Sequence, residues 1–149
     1  MRPWHIGAAG LFLAAAVSVL FIVALGDLGA GELRHKYYLL AETGHEPGCV
    51  VDVHINDEHV VTVEPEVKKE IIEVTSYVEA GDNEVVFEVE ALTDEGDDNG
   101  TIDIQIGSGT YKDGKLSWEA LSVQYSVSRS QLKKEEKDII TTSLKFNAS

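Results

Sequence analysis

The sequence is poor in cysteine and in basic residues, and it lacks the short motifs that mark common enzymes. Its single cysteine, Cys49, among 149 residues excludes an internal disulfide framework, and we predict it as a small buried hydrophobe at the start of a strand. Lys and Arg number 12 against 26 Asp and Glu, a formal net charge of −14 that argues against nucleic-acid binding, because phosphate contacts need basic side chains. No G-x-S-x-G, H-E-x-x-H or phosphate-binding loop occurs, so we predict a binding or structural protein rather than an enzyme.

The longest apolar run, residues 6–25, contains 20 residues without a charge. A helix of this length spans about 30 Å, the thickness of the hydrocarbon core of a bilayer. Arg2 precedes the run and Asp27 follows it, and this order favours a cytoplasmic N-terminus with the rest of the chain outside the cell. The sequence thus predicts four regions: a cytoplasmic segment 1–5, a transmembrane signal anchor 6–25, a linker 26–35 and an exported domain 36–149.

Two alternatives concern this apolar run. Small residues before Asp27 fit a signal-peptidase cut, which would release a secreted soluble domain. The run exceeds the roughly 7–15 residues of a signal-peptide core, so we favour the uncleaved anchor. Gly10, Ala14 and Ser18 recur at every fourth residue, a spacing that lets two membrane helices pack closely. This helix-packing face predicts a homo-oligomer and, as a second possible function, a structural subunit of a surface assembly.

The exported part alternates between apolar and polar residues with the period of two expected of β-strands. Residues 84–91 alternate in this way, and Ile102, Ile104 and Ile106 share one face of the next predicted strand. About eight short strands are separated by turn signals, and no long amphipathic helix follows the anchor. The pattern predicts an all-β domain, an antiparallel β-sandwich of the jelly-roll or immunoglobulin-like type.

A first hairpin is predicted around residues 56–58. A three-residue turn there pairs Ile55 with His59 and keeps the aliphatic side chains of both strands on one face, whereas a two-residue turn would divide them. In this register His54 and His59 point to opposite faces of the hairpin. We therefore predict separate surface or half-buried imidazoles rather than a zinc site.

The C-terminal part of the chain contains three further predicted elements. Residues 107–115 are predicted as a loop or short hairpin with a tight turn near its end. Residues 116–128 are predicted as a long strand, with a bulge between Trp118 and Leu121 where the alternation slips. The charged segment 130–138 is predicted to contain a helical turn before a last strand.

One segment carries a family resemblance. Residues 74–87 read V-T-S-Y-V-E-A-G-D-N-E-V-V-F and follow an Asn-containing turn after Ile55. This arrangement resembles galactose-binding-like jelly-roll domains, in which such a turn precedes a V-T-x-Y-L-x-x-G-x-N-x-V segment. The resemblance implies a β-sandwich with Tyr77 and Val78 tucked beneath it and a turn built on Gly81 and Asn83, residue types that tolerate positive φ. It also implies carbohydrate or protein binding, but it assigns no ligand residues.

Residues 94–103 form an acidic loop within the most acidic part of the chain. Residues 42–103 hold 19 acids and two lysines, which is typical of a solvated acidic surface. Calcium binds six to eight oxygen ligands, and the four residues with loosely EF-hand-like spacing are Glu95, Asp97, Asn99 and Asp103. The glutamate that ends an EF-hand loop is missing, so an acidic hairpin loop without metal remains the alternative. Calcium is the one cofactor that the sequence suggests.

Two sequons, beginning at Asn99 and Asn147, predict glycosylation sites if the domain is exported to a glycosylating compartment. Together these features predict a single-pass membrane protein with its N-terminus in the cytoplasm. Its extracytoplasmic β-sandwich would act as a binding module for a glycan or protein partner at the cell membrane, without binding nucleic acid.

Overall fold

The computed structural model describes residues 31–92, 99–135 and 139–149, and Glu32–Ser149 forms one compact unit. The described residues form eight strands: β1 (Tyr37–Gly44), β2 (Cys49–Ile55), β3 (Glu58–Val63), β4 (Lys69–Glu73), β5 (Gly81–Ala91), β6 (Thr101–Lys112), β7 (Lys115–Ser128) and β8 (Ile139–Ala148). They also form a 3₁₀ turn (Thr75–Tyr77) and a short helix α1 (Arg129–Glu135). The position of α1 confirms the helical turn predicted in the charged segment before the last strand.

The strands form two four-stranded sheets. Sheet A has the order β4-β1-β6-β7, and sheet B has the order β3-β2-β5-β8. All the pairings between neighbouring strands in these described sheets are antiparallel. Side chains from both sheets form one hydrophobic core. The prediction of an all-β antiparallel β-sandwich is therefore confirmed.

The core is built from the alternating faces that the sequence predicts. Phe87 of β5 is fully buried, and its ring stacks on that of Tyr125 of β7 with the centroids 4.2 Å apart. This contact joins the two sheets, and burying a side chain of this size contributes about 1.5–3 kcal/mol to stability. Cys49 is also fully buried at the first position of β2, as predicted. Other fully buried core side chains are Leu39, Val51, Val53, Ile55, Val63, Val85, Val89, Ile102, Ile104 and Ile106.

The turn between β2 and β3 has two residues, not the predicted three. Asn56 and Asp57 both have positive φ, 50° and 67°, as in the type I′ turns that match the twist of a hairpin. Ile55 consequently pairs with Glu58, and the predicted pairing of Ile55 with His59 is wrong.

A bulge in the same hairpin keeps the aliphatic side chains facing the core. His54 pairs with His59, whereas Val53 pairs with Val61, so Val60 is an extra residue on β3. The extra residue compensates for the shorter turn. Val61 therefore still packs against the core, as the sequence predicts.

The strand β6 continues through residues that the sequence predicted as a loop or short hairpin. Pairing with β7 extends to Lys112, which lies opposite Lys115. The tight turn between them consists of Asp113 and Gly114, both with positive φ, 52° and 74°. The predicted position of this turn is confirmed, and the hairpin is longer than expected.

Two glycines explain why β6 lacks apolar alternation in this stretch. A Cβ on Gly107 would lie 2.2 Å from the carbonyl oxygen of Ala120, so the two strands approach too closely for any side chain there. The register of β6 against β7 shifts on either side of this point, and Gly109 pairs with Trp118. An extra residue of β7 thus lies between Trp118 and Leu121, where the sequence predicts a bulge.

The segment that carries the family resemblance joins β4 to β5. Tyr77 is half-buried against the core and Val78 is buried, as the resemblance implies. Gly81 has a φ of 98°, as the predicted turn requires. Asn83 lies within β5 instead, so its predicted turn conformation is wrong. Its side chain shapes the turn: Oδ1 accepts a hydrogen bond from the Glu79 N–H (2.8 Å), and Nδ2 donates to the Glu79 and Gly81 carbonyls (2.8 and 2.9 Å).

In the described parts of the chain, no helix has the length and apolar character needed to cross a membrane. The two described helical elements have three and seven residues. The predicted anchor, residues 6–25, lies outside the described residues. Its predicted helix-packing face, Gly10, Ala14 and Ser18, lies outside them as well.

Candidate functional site

The two ends of the sandwich carry different features. β1 runs for eight residues from Tyr37 to Gly44, so its ends are about 23 Å apart at 3.3 Å per residue. The chain enters the sandwich at the Tyr37 end, which we call the entry end; the turn between β6 and β7 lies there too, because the Gly109 N–H donates to the Lys36 carbonyl (3.0 Å). The connections β1–β2, β3–β4 and β5–β6 meet at the opposite end, which we call the loop end.

A cleft of about 680 Å³ opens at the loop end. Its volume is within the range of small-ligand and peptide pockets. Polar and apolar residues from the β1–β2 connection, the β3–β4 connection and the end of β5 line it, among them His45, Glu46, Pro65, Glu66, Lys68 and Leu92. Leu92 is 49% exposed, one of three exposed large aliphatic residues among those described, with Leu121 and Ile139, and it is the one that lines the cleft.

Lys68 and Lys69 are neighbours with different surroundings. The Lys69 ammonium lies 3.6 Å from a carboxylate oxygen of Glu42, on the surface of sheet A. Lys68 lines the cleft, and no carboxylate of the described residues forms an ion pair with it. Thr43 fixes the adjoining backbone, because its N–H donates to the Lys68 carbonyl (3.1 Å) and its hydroxyl donates to the Val67 carbonyl (2.6 Å). The cleft therefore contains the ammonium group of Lys68 on a backbone that hydrogen bonds fix in place.

The connection between β1 and β2 is held in place by its neighbours. The Gly48 carbonyl accepts hydrogen bonds from the Leu92 N–H (3.0 Å) and from Nη1 of Arg129 (2.9 Å). A Cβ on Gly100 would lie 2.6 Å from the Glu46 carbonyl oxygen, so the β5–β6 connection packs directly on this segment. Backbone contacts of this kind preorganise one wall of the cleft.

Among the described residues, Arg129 is the only Lys, Arg, Asp or Glu that is buried, with 2% of its surface exposed. Its N–H donates to the Gly100 carbonyl (2.9 Å), so it connects the start of α1 to two connections at the loop end. Burial raises the pKa of the neighbouring Cys49 thiol, and the positive charge of Arg129 partly offsets that rise. Cys49 therefore stays protonated at neutral pH, as expected of a structural cysteine.

The predicted calcium ligands are only partly within the described residues. Glu95 and Asp97 lie outside them. Asn99 is exposed just before β6, and Asp103 is exposed within β6, opposite Glu42. Among the described residues, no group of three or more His, Cys, Asp or Glu side chains is arranged to hold a metal ion. Calcium binding at this loop stays a prediction.

The two predicted glycosylation positions lie at opposite ends of the sandwich. Asn99 is exposed at the loop end. Asn147 is exposed near the end of β8, and its amide donates to a carboxylate oxygen of Asp82 (3.0 Å). Both sequons stay predictions of modification.

His54 and His59 lie on the same face of their hairpin, and the prediction of opposite faces is wrong. The bulge in β3 makes them cross-strand partners, and their rings pack edge to face with the centroids 5.3 Å apart. Nε2 of His59 is 3.1 Å from the Thr62 hydroxyl and 3.4 Å from a carboxylate oxygen of Asp52. His59, Thr62 and Asp52 thus form a hydrogen-bonded group on the surface of sheet B.

Comparison with known proteins gives no family assignment. No protein-family model matches the sequence, and no curated protein matches it significantly. The loop-end cleft is thus defined by geometry alone. Sequence reasoning missed it, although Lys68, one of two lysines in a highly acidic stretch, was a signal that could have drawn attention to this position.

Proposed function

We propose that the chain is a single-pass membrane protein whose exported β-sandwich binds a partner at the loop-end cleft. The apolar run 6–25 supports the anchor, with the N-terminus in the cytoplasm. The observation that carries the proposal is the cleft of about 680 Å³ at the loop end, where Lys68 lies on a backbone that hydrogen bonds from Thr43 fix in place.

A short protein segment is the partner class that the lining favours. The cleft combines the cation of Lys68 with the carboxylates of Glu46 and Glu66 and with the exposed side chain of Leu92. Charges of both signs beside an apolar side chain match the mixed chemistry of a peptide, and such complementarity provides specificity. A glycan is the alternative partner, but none of the described lining residues is Trp, Tyr or Phe, the side chains on which sugars commonly stack.

The order of the strands supports a jelly-roll version of the sandwich, in line with the resemblance to galactose-binding-like domains. The chain passes between the two sheets at β1–β2, β3–β4, β4–β5, β5–β6 and β7–β8. Only β2–β3 and β6–β7 are hairpins within one sheet of the described strands. Eight strands that alternate between two sheets in this way are typical of a jelly roll, a fold often used for binding.

Site-specific photocrosslinking in intact cells tests this function. A photoreactive amino acid replaces Leu92 in the full chain, and a second chain carries it at Leu121, which is 40% exposed on β7. We expect a discrete crosslinked product from position 92 that is lost in Lys68→Gln and kept in Lys69→Gln, its neighbour outside the cleft. Identical products from both positions, or a product from position 92 that persists in Lys68→Gln, would contradict the proposal. Sensitivity of the product to glycosidases would indicate a glycan partner.

A further inference from the structure

The β6–β7 hairpin extends past the other strands of sheet A at the entry end. β1 begins at Tyr37 opposite Ser108, whereas β6 continues to Lys112. The extra residues add about 13 Å at 3.3 Å per residue. The Lys36 carbonyl accepts a hydrogen bond from the Gly109 N–H (3.0 Å), so the chain leaves the sheet toward its N-terminus beside the base of this extension.

Two lysines lie opposite each other at the tip of the extension. Lys112 pairs with Lys115 across the turn. Like charges directly opposite each other destabilise a hairpin, and neither lysine forms an ion pair with a carboxylate among residues 31–92, 99–135 and 139–149. Fold stability therefore does not explain this pair. The two ammonium groups are available to an anionic partner.

The face of the extension opposite the two lysines is apolar and aromatic. Strand alternation and the observed register place Tyr111, Leu116 and Trp118 on that face. Tyr111 is 48% exposed, and its ring centroid lies 6.3 Å from that of Tyr38. Tyr and Trp favour the interface between membrane and water, because their apolar rings and polar tips meet different surroundings there.

We propose that the tip of this hairpin, residues 110–117, docks on the surface of the membrane, with Lys112 and Lys115 bound to anionic lipid headgroups. This inference rests on the proposed anchor at residues 6–25. The 11 residues from Leu25 to Lys36 reach at most about 40 Å, so the anchor keeps the tip within reach of the bilayer. Lysines close to an anionic membrane surface bind its headgroups, and the aromatic rings on the other face of the hairpin suit the same interfacial layer.

The acidic character of the domain does not oppose this contact. The extension of about 13 Å exceeds the screening length of about 8 Å at physiological ionic strength, so carboxylates beyond its base are largely screened at the tip. Glu119, at the base, already pairs with His35 at 2.7 Å. Asp113 lies in the turn itself, and the tip keeps a positive charge because two lysines flank this single acid.

Quenching by lipid of a single tryptophan at position 111, inside the tip, tests the contact. The chain has two tryptophans, so Trp4→Phe with Trp118→Phe removes both, and Tyr111→Trp adds one at an exposed aromatic position of the tip. The full chain is placed in vesicles of phosphatidylcholine alone or mixed equally with phosphatidylglycerol, with and without brominated acyl chains. We expect stronger quenching in the mixed vesicles. Because each lysine contributes about fivefold to docking, Lys112→Gln with Lys115→Gln should lower the docked-to-undocked ratio about 25-fold.

Lys68→Gln with Lys69→Gln is the matched control, because it removes the same charge at the loop end; its quenching should equal that of the parent chain. Flotation of the vesicles separates the two claims. A chain that does not float overturns the anchor and this inference with it. A chain that floats but shows the same weak quenching in both lipids, or the same quenching without Lys112 and Lys115, overturns the hairpin contact and leaves the anchor in place.

Discussion

Replacing Asn83 by alanine should destabilise the domain much more than replacing the exposed Asn147 at the same end of the sandwich. Asn83 is 3% exposed, and its side chain makes four hydrogen bonds. Three of them join Asn83 to Glu79 and Gly81 and shape the turn before β5. In the fourth, Oδ1 of Asn83 accepts a hydrogen bond from Nδ2 of Asn56 (2.7 Å). Asn83→Ala removes these four hydrogen bonds, whereas Asn56 keeps its own bonds to Glu84 and Tyr77.

The expected loss follows from the groups that remain. The Glu79 N–H and the Glu79 and Gly81 carbonyls lose their side-chain partner, and a buried polar group left without a partner costs about 1–3 kcal/mol. Because Glu79 is exposed, water replaces part of these contacts. We therefore expect a loss of about 3 kcal/mol, which lowers the melting temperature of a domain of this size by about 12 °C.

Thermal unfolding of the full chain in detergent, followed by circular dichroism, measures this effect. Asn147→Ala is the matched control, because Asn147 is exposed and makes a single side-chain hydrogen bond, to Asp82. Its expected cost is below about 0.5 kcal/mol. If the two variants melt within 2 °C of each other on this roughly 12 °C scale, the Asn83 network does not stabilise the fold as we infer.

Four further predictions test other parts of the account. Val53→Asp puts a charge into the core and should prevent folding, as seen by loss of cooperative melting; a folded variant would mean that β2 faces the other way. Gly107→Ala places a methyl group 2.2 Å from the Ala120 carbonyl and should cost several kcal/mol in urea titration, whereas an unchanged midpoint would refute the close approach. Burial raises the pKa of the Cys49 thiol above its ordinary value of 9.0. The free energy of unfolding therefore keeps its full value below pH 9 and falls as the pH rises further, because the thiol ionises first in the unfolded chain. Cys49→Ala should abolish this part of the pH dependence, and the same pH profile in both proteins would contradict it. A calcium site in residues 94–103 predicts about 2.7 kcal/mol of added stability at one hundred times the dissociation constant, and identical melting curves in calcium and in chelator would exclude it.

The strands could be predicted from the sequence because alternation records which face is buried. Ile102, Ile104 and Ile106 are all fully buried, as their spacing indicates. The pattern fails where backbone geometry replaces side-chain packing. Gly107 and Gly109 carry no side chain because β7 lies too close, so the second half of β6 resembled a loop in sequence.

The β2–β3 hairpin illustrates a second limit of sequence reasoning. The aliphatic pattern fits both a three-residue turn and a two-residue turn with one bulge, because each keeps Val53 opposite Val61. Only the second places His54 beside His59. Conclusions about polar residues near a turn therefore depend on a bulge that alternation of the aliphatic residues does not reveal.

The candidate site was harder to predict than the strands because it is assembled from separate connections. Lys68 and Leu92 are 24 positions apart in sequence, and they line one cleft because their connections meet at the loop end. The lysine pair at positions 112 and 115 was visible in sequence as a turn. Its position beyond β1 follows only from the strand register.

Protease digestion of intact cells tests the central claim, an exported β-sandwich on an uncleaved membrane anchor, most directly. Mass spectrometry of the released and the membrane-bound peptides reads out the topology. The account predicts that peptides from residues 32–149 are released, while a fragment containing residues 6–25 stays in the membrane fraction. Full protection of residues 32–149 in intact cells, with digestion only after lysis, would contradict the account.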